Sequence, residues 1–219
     1  MKTLCIQLLL VSLLWLSPAN AAEKSDARQT RVVCFGDSIT KRGYPDVMAA
    51  DLGIEAINAG VAGNSSAAGL RRMQKDVLEH QPDIVVIFFG TNDARVDEPR
   101  VYATPKQYED NLTTMVQACK KARAEVVICT LPPIDEKVYF KRHEHKPYAD
   151  AGGIEAMWKE YRAAAMRVAK KHKLPVVDLN QELSKKPEWL SPDGVHPSTA
   201  GTRLIADLIG KKVAPSVRK

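Results

Sequence analysis

The sequence predicts an α/β fold, a five-stranded parallel sheet with helices on both faces. Short runs rich in Val, Ile, Phe and Cys recur along the chain and suit strands buried on both faces. Between them lie segments with apolar residues at helical spacing. The two kinds of segment alternate, which is the order that crossover connections in a parallel sheet require.

The first residues stand outside this pattern. Lys2 supplies a positive charge, Leu4 to Leu16 an apolar core rich in leucine, and Ala19-Asn20-Ala21 a small-x-small cleavage pattern. Residues 1–21 therefore read as an export leader cleaved near Ala21, with a single domain over residues 22–219. The apolar run is too short for a good transmembrane anchor, so no membrane span is expected in the mature chain. Cleavage removes one Lys and no acid, which takes the formal charge from +6 to +5.

Arg31-Val32-Val33-Cys34-Phe35 is the first strand, and Pro45 to Leu52 a short helix closed by Gly53. Glu55 to Asn58 is a weak second strand. Leu70, Met73, Val77 and Leu78 mark the next helix. Asp83 to Phe89 is almost continuously apolar, which places it at the centre of the sheet. Thr104-Pro105-Lys106-Gln107 has the form of a capping box with proline at the first helical position. Tyr108, Leu112, Met115, Val116 and Cys119 form the apolar face behind it. Glu125 to Thr130 and Pro175 to Leu179 are the fourth and fifth strands. Between them, Ile134 to Gly153 shows no convincing period, and Ile154 to Ala169 reads as a long amphipathic helix. The last helix starts near Ser198.

Basic pairs such as Arg71-Arg72 and Lys120-Lys121 are scattered near predicted helix ends, where they complement the helix dipole. No basic stripe interleaves with aromatics, so nucleic acid is not an expected partner. After cleavage Cys34, Cys119 and Cys129 remain, each at an apolar position. An odd count leaves at least one thiol free within a chain, and buried, unpaired thiols are the default reading. His143-Glu144-His145 lacks the helical spacing of a zinc-protease motif, and no metal is expected. The sequence assigns no oligomeric state.

In an open α/β sheet the working residues gather at the carboxyl ends of the strands. Four polar or glycine-rich segments follow strands here: Gly36-Asp37-Ser38, Gly60 to Gly63, Gly90-Thr91-Asn92-Asp93, and Asp193-Gly194-Val195-His196-Pro197. Singly, each also serves as an ordinary turn or helix cap. Together they supply the parts of an acyl-transfer site. Ser38 is the candidate nucleophile, His196 its base, and Asp193 the group that orients the imidazole. Backbone N–H groups of Ser38 and Gly63 and the amide of Asn92 are the candidate oxyanion donors.

These four blocks, in this order across most of the mature chain, closely resemble those of the SGNH hydrolases, also called GDSL esterases and lipases. The resemblance implies a flavodoxin-like three-layer α/β/α sandwich. It implies Ser38, Asp193 and His196 as a catalytic triad, Gly63 and Asn92 as oxyanion donors, and no metal or cofactor. Such enzymes act on a range of esters. The polar segment Asp135 to Lys146, with Tyr139, Phe140 and Tyr148 available to stack on sugar rings, favours a small acyl ester, above all acetyl on a glycan. A lysophospholipase or thioesterase for longer acyl chains is the alternative enzyme, and a glycan-binding module without turnover the alternative of another class.

Overall fold

The computed structural model describes residues 28–217, so the leader assigned to residues 1–21 lies outside the described residues. Among the described residues five strands form one parallel sheet: β1 (Arg31–Gly36), β2 (Glu55–Gly60), β3 (Ile84–Phe88), β4 (Glu125–Cys129) and β5 (Val176–Val177). Their spatial order is β2-β1-β3-β4-β5, with every neighbouring pair parallel. The expected α/β class and strand number are met.

The twofold period of a strand divides its side chains between two cores. Val33, Phe35, Val85, Ile87, Val126 and Ile128 face one layer, made by α3 (Ser66–Asp76), α4 (Pro105–Lys121) and α7 (Ile154–His172). Val32, Cys34, Val86, Phe88, Val127 and Cys129 face the other. There they meet α2 (Tyr44–Leu52), α8 (Leu179–Leu183) and α9 (Thr199–Val213). β3 is buried along its whole length because it lies in the middle of the sheet with a helical layer on each face. Each such Val, Ile or Phe contributes about 1.5–3 kcal/mol of burial.

The capping box forms as expected. The Thr104 hydroxyl accepts from the Gln107 N–H at 3.2 Å, and the Gln107 side chain accepts from the Thr104 N–H at 2.8 Å. Two elements differ from expectation. β2 runs on to Gly60, and β5 is only two residues long. The fifth strand stops at Asp178, whose carboxylate turns to accept from the Gln181 N–H at 3.4 Å and so caps α8. The segment without a period holds two short helices, α5 (Glu136–Tyr139) and α6 (His145–Asp150).

The order of the strands fixes where a site can form. From β1 the chain passes outward to β2, and from β3 it passes the other way to β4, so connections diverge at the carboxyl ends of β1 and β3 and leave a crevice there.

Candidate active site

Ser38 reaches that crevice through a sharp exit from β1. Asp37 leaves the sheet, and its Oδ1 accepts from the Ile39 N–H at 2.9 Å, capping the short helix α1 (Ser38–Lys41). Ser38 is thus the first helical residue, where backbone N–H groups have no acceptor within the helix. The turn needs glycine on both sides because the backbones approach closely. A Cβ on Gly36 would lie 2.2 Å from Thr40 Oγ1 and 2.5 Å from the Phe88 carbonyl, and one on Gly60 would lie 2.2 Å from the Lys41 nitrogen.

The turn after α8 brings a carboxylate and an imidazole to the same place. Asp193 Oδ1 accepts from the N–H groups of Val195 at 3.0 Å and His196 at 2.9 Å. Gly194 takes φ +75°, a conformation most side chains resist, and this lets the loop fold back on Asp193. Asp193 Oδ2 lies 2.7 Å from His196 Nδ1, and His196 Nε2 lies 2.9 Å from Ser38 Oγ. The carboxylate fixes the proton on Nδ1, which leaves Nε2 to accept from the Ser38 hydroxyl. Burial acts to raise the Asp193 pKa, but donors from His196, Val195 and Ser191 outweigh it and hold the carboxyl well below the usual range. Asp193 is therefore ionised beside the imidazole.

Asn92 follows β3. Its Nδ2 donates to the Asn64 carbonyl at 3.1 Å and, more weakly, to Asp37 Oδ2 at 3.3 Å. Gly63, in the loop after β2, is exposed, and a Cβ there would meet nothing within 4 Å. Its own φ of +75° is the reason for glycine. Arg72 of α3 anchors this loop. It donates to Asn64 Oδ1 at 2.8 Å, the Ala59 carbonyl at 2.9 Å and the Gly36 carbonyl at 2.8 Å, and it pairs with Asp76 at 2.9 Å. One guanidinium thus ties the ends of β1 and β2 to the loop between β2 and α3.

Two carboxyls lie beneath the site. Burial pushes Asp37 up to about 7, opposed by the Ile39 N–H, reinforced by Asp93 and opposed again by the Asn92 amide. Burial likewise pushes Asp93 up to about 6 against donors from Ser66. An unfolded Asp titrates near 3.9. Between about pH 4 and 7 the folded chain therefore holds protons that the unfolded chain has released, and stability falls as pH rises through that window. Urea midpoints are expected to decline from about pH 5 to 8, and Asp37→Asn to flatten that decline whatever it does to absolute stability. An unchanged slope in the variant would remove Asp37 as its source.

The crevice is a cleft of about 290 Å³ lined by Ser38, Thr91, Asn92, Arg95, Tyr139, Arg142, His143, Val195 and His196. The structure thus brings Ser38, Asn92 and His196 together, with Asp193 behind the imidazole. Gly63 is not in the cleft lining and connects to it through Asn64. A larger groove of about 460 Å³ beside Trp158 and Arg162 contains none of these groups.

The segment after β4 borders the cleft, but its tyrosines are not free for stacking on a ligand. Tyr139 and Tyr148 are buried and share a hydrogen bond of 2.7 Å, and Tyr148 donates to Asp97 at 2.6 Å. Their rings belong to the core, with hydroxyls satisfied inside it. What this segment presents instead is Arg142 and His143. His143 Nδ1 lies 2.8 Å from Asp97, and its ring stacks on Tyr139 at 4.0 Å. Arg95 and Arg142 were not singled out by the sequence. Cys34, Cys119 and Cys129 are buried and unpaired, and burial pushes Cys34 and Cys119 up to about 12. Among the described residues no three His, Cys, Asp or Glu side chains gather as a metal site requires.

A parallel sheet of this order with a linked hydroxyl, imidazole and carboxylate at its switch point has the parts of a serine hydrolase. Comparison with known proteins gives the family. The chain belongs to the GDSL-like Lipase/Acylhydrolase family, whose model matches residues 34–204. It is a carboxylic ester hydrolase by that membership and by its relatives. It is 28% identical over 162 residues to "Thioesterase 1/protease 1/lysophospholipase L1" of Escherichia coli (strain K12), covering 74% of this chain and 68% of that one. A solved lipase/acylhydrolase from Enterococcus faecalis is 30% identical with a TM-score of 0.74, covering 86% of this chain and 97% of the other. The acetyl xylan esterase AlAXEase is 28% identical with a TM-score of 0.70, covering 84% and 99%.

Proposed function

We propose that this chain is an exported serine esterase that removes small acyl groups, acetyl foremost, from a carbohydrate. The observation that carries the catalytic part is the continuous hydrogen-bonded line from Ser38 Oγ through His196 to Asp193. Ser38 Oγ attacks the ester carbonyl while His196 Nε2 takes its proton. Asp193 stabilises the imidazolium, and the oxyanion takes N–H donors from Ser38, Gly63 and Asn92. The imidazolium then protonates the leaving alkoxide, which leaves an acyl-Ser38. A water, deprotonated by His196, attacks that acyl group, and its proton returns to Ser38 Oγ as the acid departs.

The cleft supports the small acyl group. At about 290 Å³ it lies at the low end for ligand sites, and Val195 is the sole aliphatic side chain in its lining. A groove of about 550 Å³, with the apolar side chains of Ile134, Val138, Leu183, Trp189 and Leu190 in its walls, lies on the other side of the Asp193 turn and contains none of Ser38, Asn92 and His196. The relation to an acetyl xylan esterase agrees with this reading. Export is proposed from the leader pattern. Among the described residues no helix is long and apolar enough to cross a membrane.

The name of the Escherichia coli relative favours a second reading, hydrolysis of longer acyl esters or thioesters. Rates on p-nitrophenyl esters from acetate to decanoate separate the two. The expected profile peaks at acetate and collapses by octanoate. A profile rising toward octanoate would replace the acetyl reading with the second.

A further inference from the structure

We infer that the alcohol carrying the acyl group is an acidic sugar, whose carboxylate is held by Arg95 and Arg142 beside Ser38. The inference rests on the esterase reading above and names its substrate class. Its basis is an imbalance of charge in the cleft. The lining includes two guanidinium groups and no carboxylate. A third, Arg42, stands over the same turn, 3.7 Å from Asp193 Oδ2.

Beneath the cleft Asp37 and Asp93 are buried against Asn92 and Ser66, and the two carboxylates just behind the lining, Asp193 and Asp97, are both engaged. Asp193 accepts from two backbone N–H groups and from His196. Asp97 accepts from Tyr148 and faces His143 Nδ1, so Arg95 reaches it only at 3.7 Å. The lining itself thus presents two guanidiniums and no carboxylate of its own, an arrangement that suits an anionic group on a substrate. Arg95 Nε is buried and has no hydrogen-bond partner among the described residues. Arg142 uses Nη2 on the Asp193 carbonyl, and the rest of its side chain is exposed.

A planar guanidinium matches a carboxylate through two parallel N–H···O bonds, which fixes orientation as well as adding attraction. A sugar carboxylate gripped there would hold one ring position of the substrate at a set distance from Ser38. A phosphate on a lysophospholipid offers similar charge. The observations favour the sugar, because the cleft beside Ser38 is small and its lining polar apart from Tyr139 and Val195.

The test uses an O-acetylated oligogalacturonate and the same oligomer with its carboxyls methyl-esterified. The pair differs in charge while keeping the acetyl ester. The free acid is expected to be preferred by at least about tenfold in kcat/KM, mainly through KM. The preference should shrink at about 1 M salt, where the Debye length falls to roughly 3 Å. Arg142→Gln should bring the ratio toward one by raising KM on the acid, and Arg142→Lys should retain part of it. Equal rates on the two oligomers would overturn the inference. So would an Arg142→Gln variant that lowers kcat equally on both, since that marks a role only in holding the Asp193 turn. Faster turnover of lysophosphatidylglycerol than of the acidic sugar would overturn it in favour of a phosphate ligand. p-Nitrophenyl acetate runs alongside. If the wild type fails to hydrolyse even that ester, the esterase reading itself has failed, and this inference with it.

Discussion

Ser38→Ala is expected to lower hydrolysis of p-nitrophenyl acetate to near the buffer rate, a fall of at least about 10⁴-fold in kcat. It should also abolish labelling by a fluorophosphonate, which requires an activated serine. The size of the effect follows from what the line of hydrogen bonds does. His196 Nε2 faces Ser38 Oγ at 2.9 Å, its one hydrogen-bond partner among the described residues. Without that hydroxyl the base has nothing to deprotonate except water, and the covalent step is lost. The fold should be unaffected. Ser38 is half-buried at the first helical position, where its side chain makes no capping bond, since Asp37 performs that role. A change in stability within about 1 kcal/mol is expected by urea titration. Labelling that survives the substitution would show that the reactive nucleophile lies elsewhere.

The sequence exposed the framework of this site because its parts sit where local signals are strong. β1 and β3 are apolar runs bounded by turn residues, and the loops that carry Ser38 and Asn92 begin where they end. Asp193 and His196 are three residues apart, so one turn joins them whatever the rest of the chain does. The cleft walls are another matter. α5 and α6 have four and six residues, too few turns for an apolar period to emerge. Their buried tyrosines therefore looked like candidates for ligand contact, although their hydroxyls find partners in Asp97 and in each other. Arg95 and Arg142 meet at the cleft only because the loops after β3 and β4 pack side by side. Arg72 gave no signal either. Its acceptors lie on Asn64, Ala59 and Gly36, and only the folded sheet brings those carbonyls within reach of one guanidinium.

That same anchoring bears on the second large effect, at Asn92. Its amide has two hydrogens, and in the resting geometry both point at acceptors, the Asn64 carbonyl at 3.1 Å and Asp37 Oδ2 at 3.3 Å. An oxyanion donor must give one of them up. The longer contact, to Asp37, is the one to yield, and the raised pKa of Asp37 makes the exchange easier because a protonated carboxyl is the poorer acceptor. The Asn64 bond can then persist and keep the amide aimed, since Arg72 holds Asn64 from the other side. Asn92→Ala is expected to cost on the order of 10²–10³ in kcat, with KM for p-nitrophenyl acetate changing much less, because the lost bond forms chiefly as charge develops on the carbonyl oxygen. Fluorophosphonate labelling should persist at a reduced rate, since Ser38 and His196 remain paired. A loss below about fivefold in kcat would remove Asn92 from the oxyanion hole and leave the stabilisation to backbone donors alone.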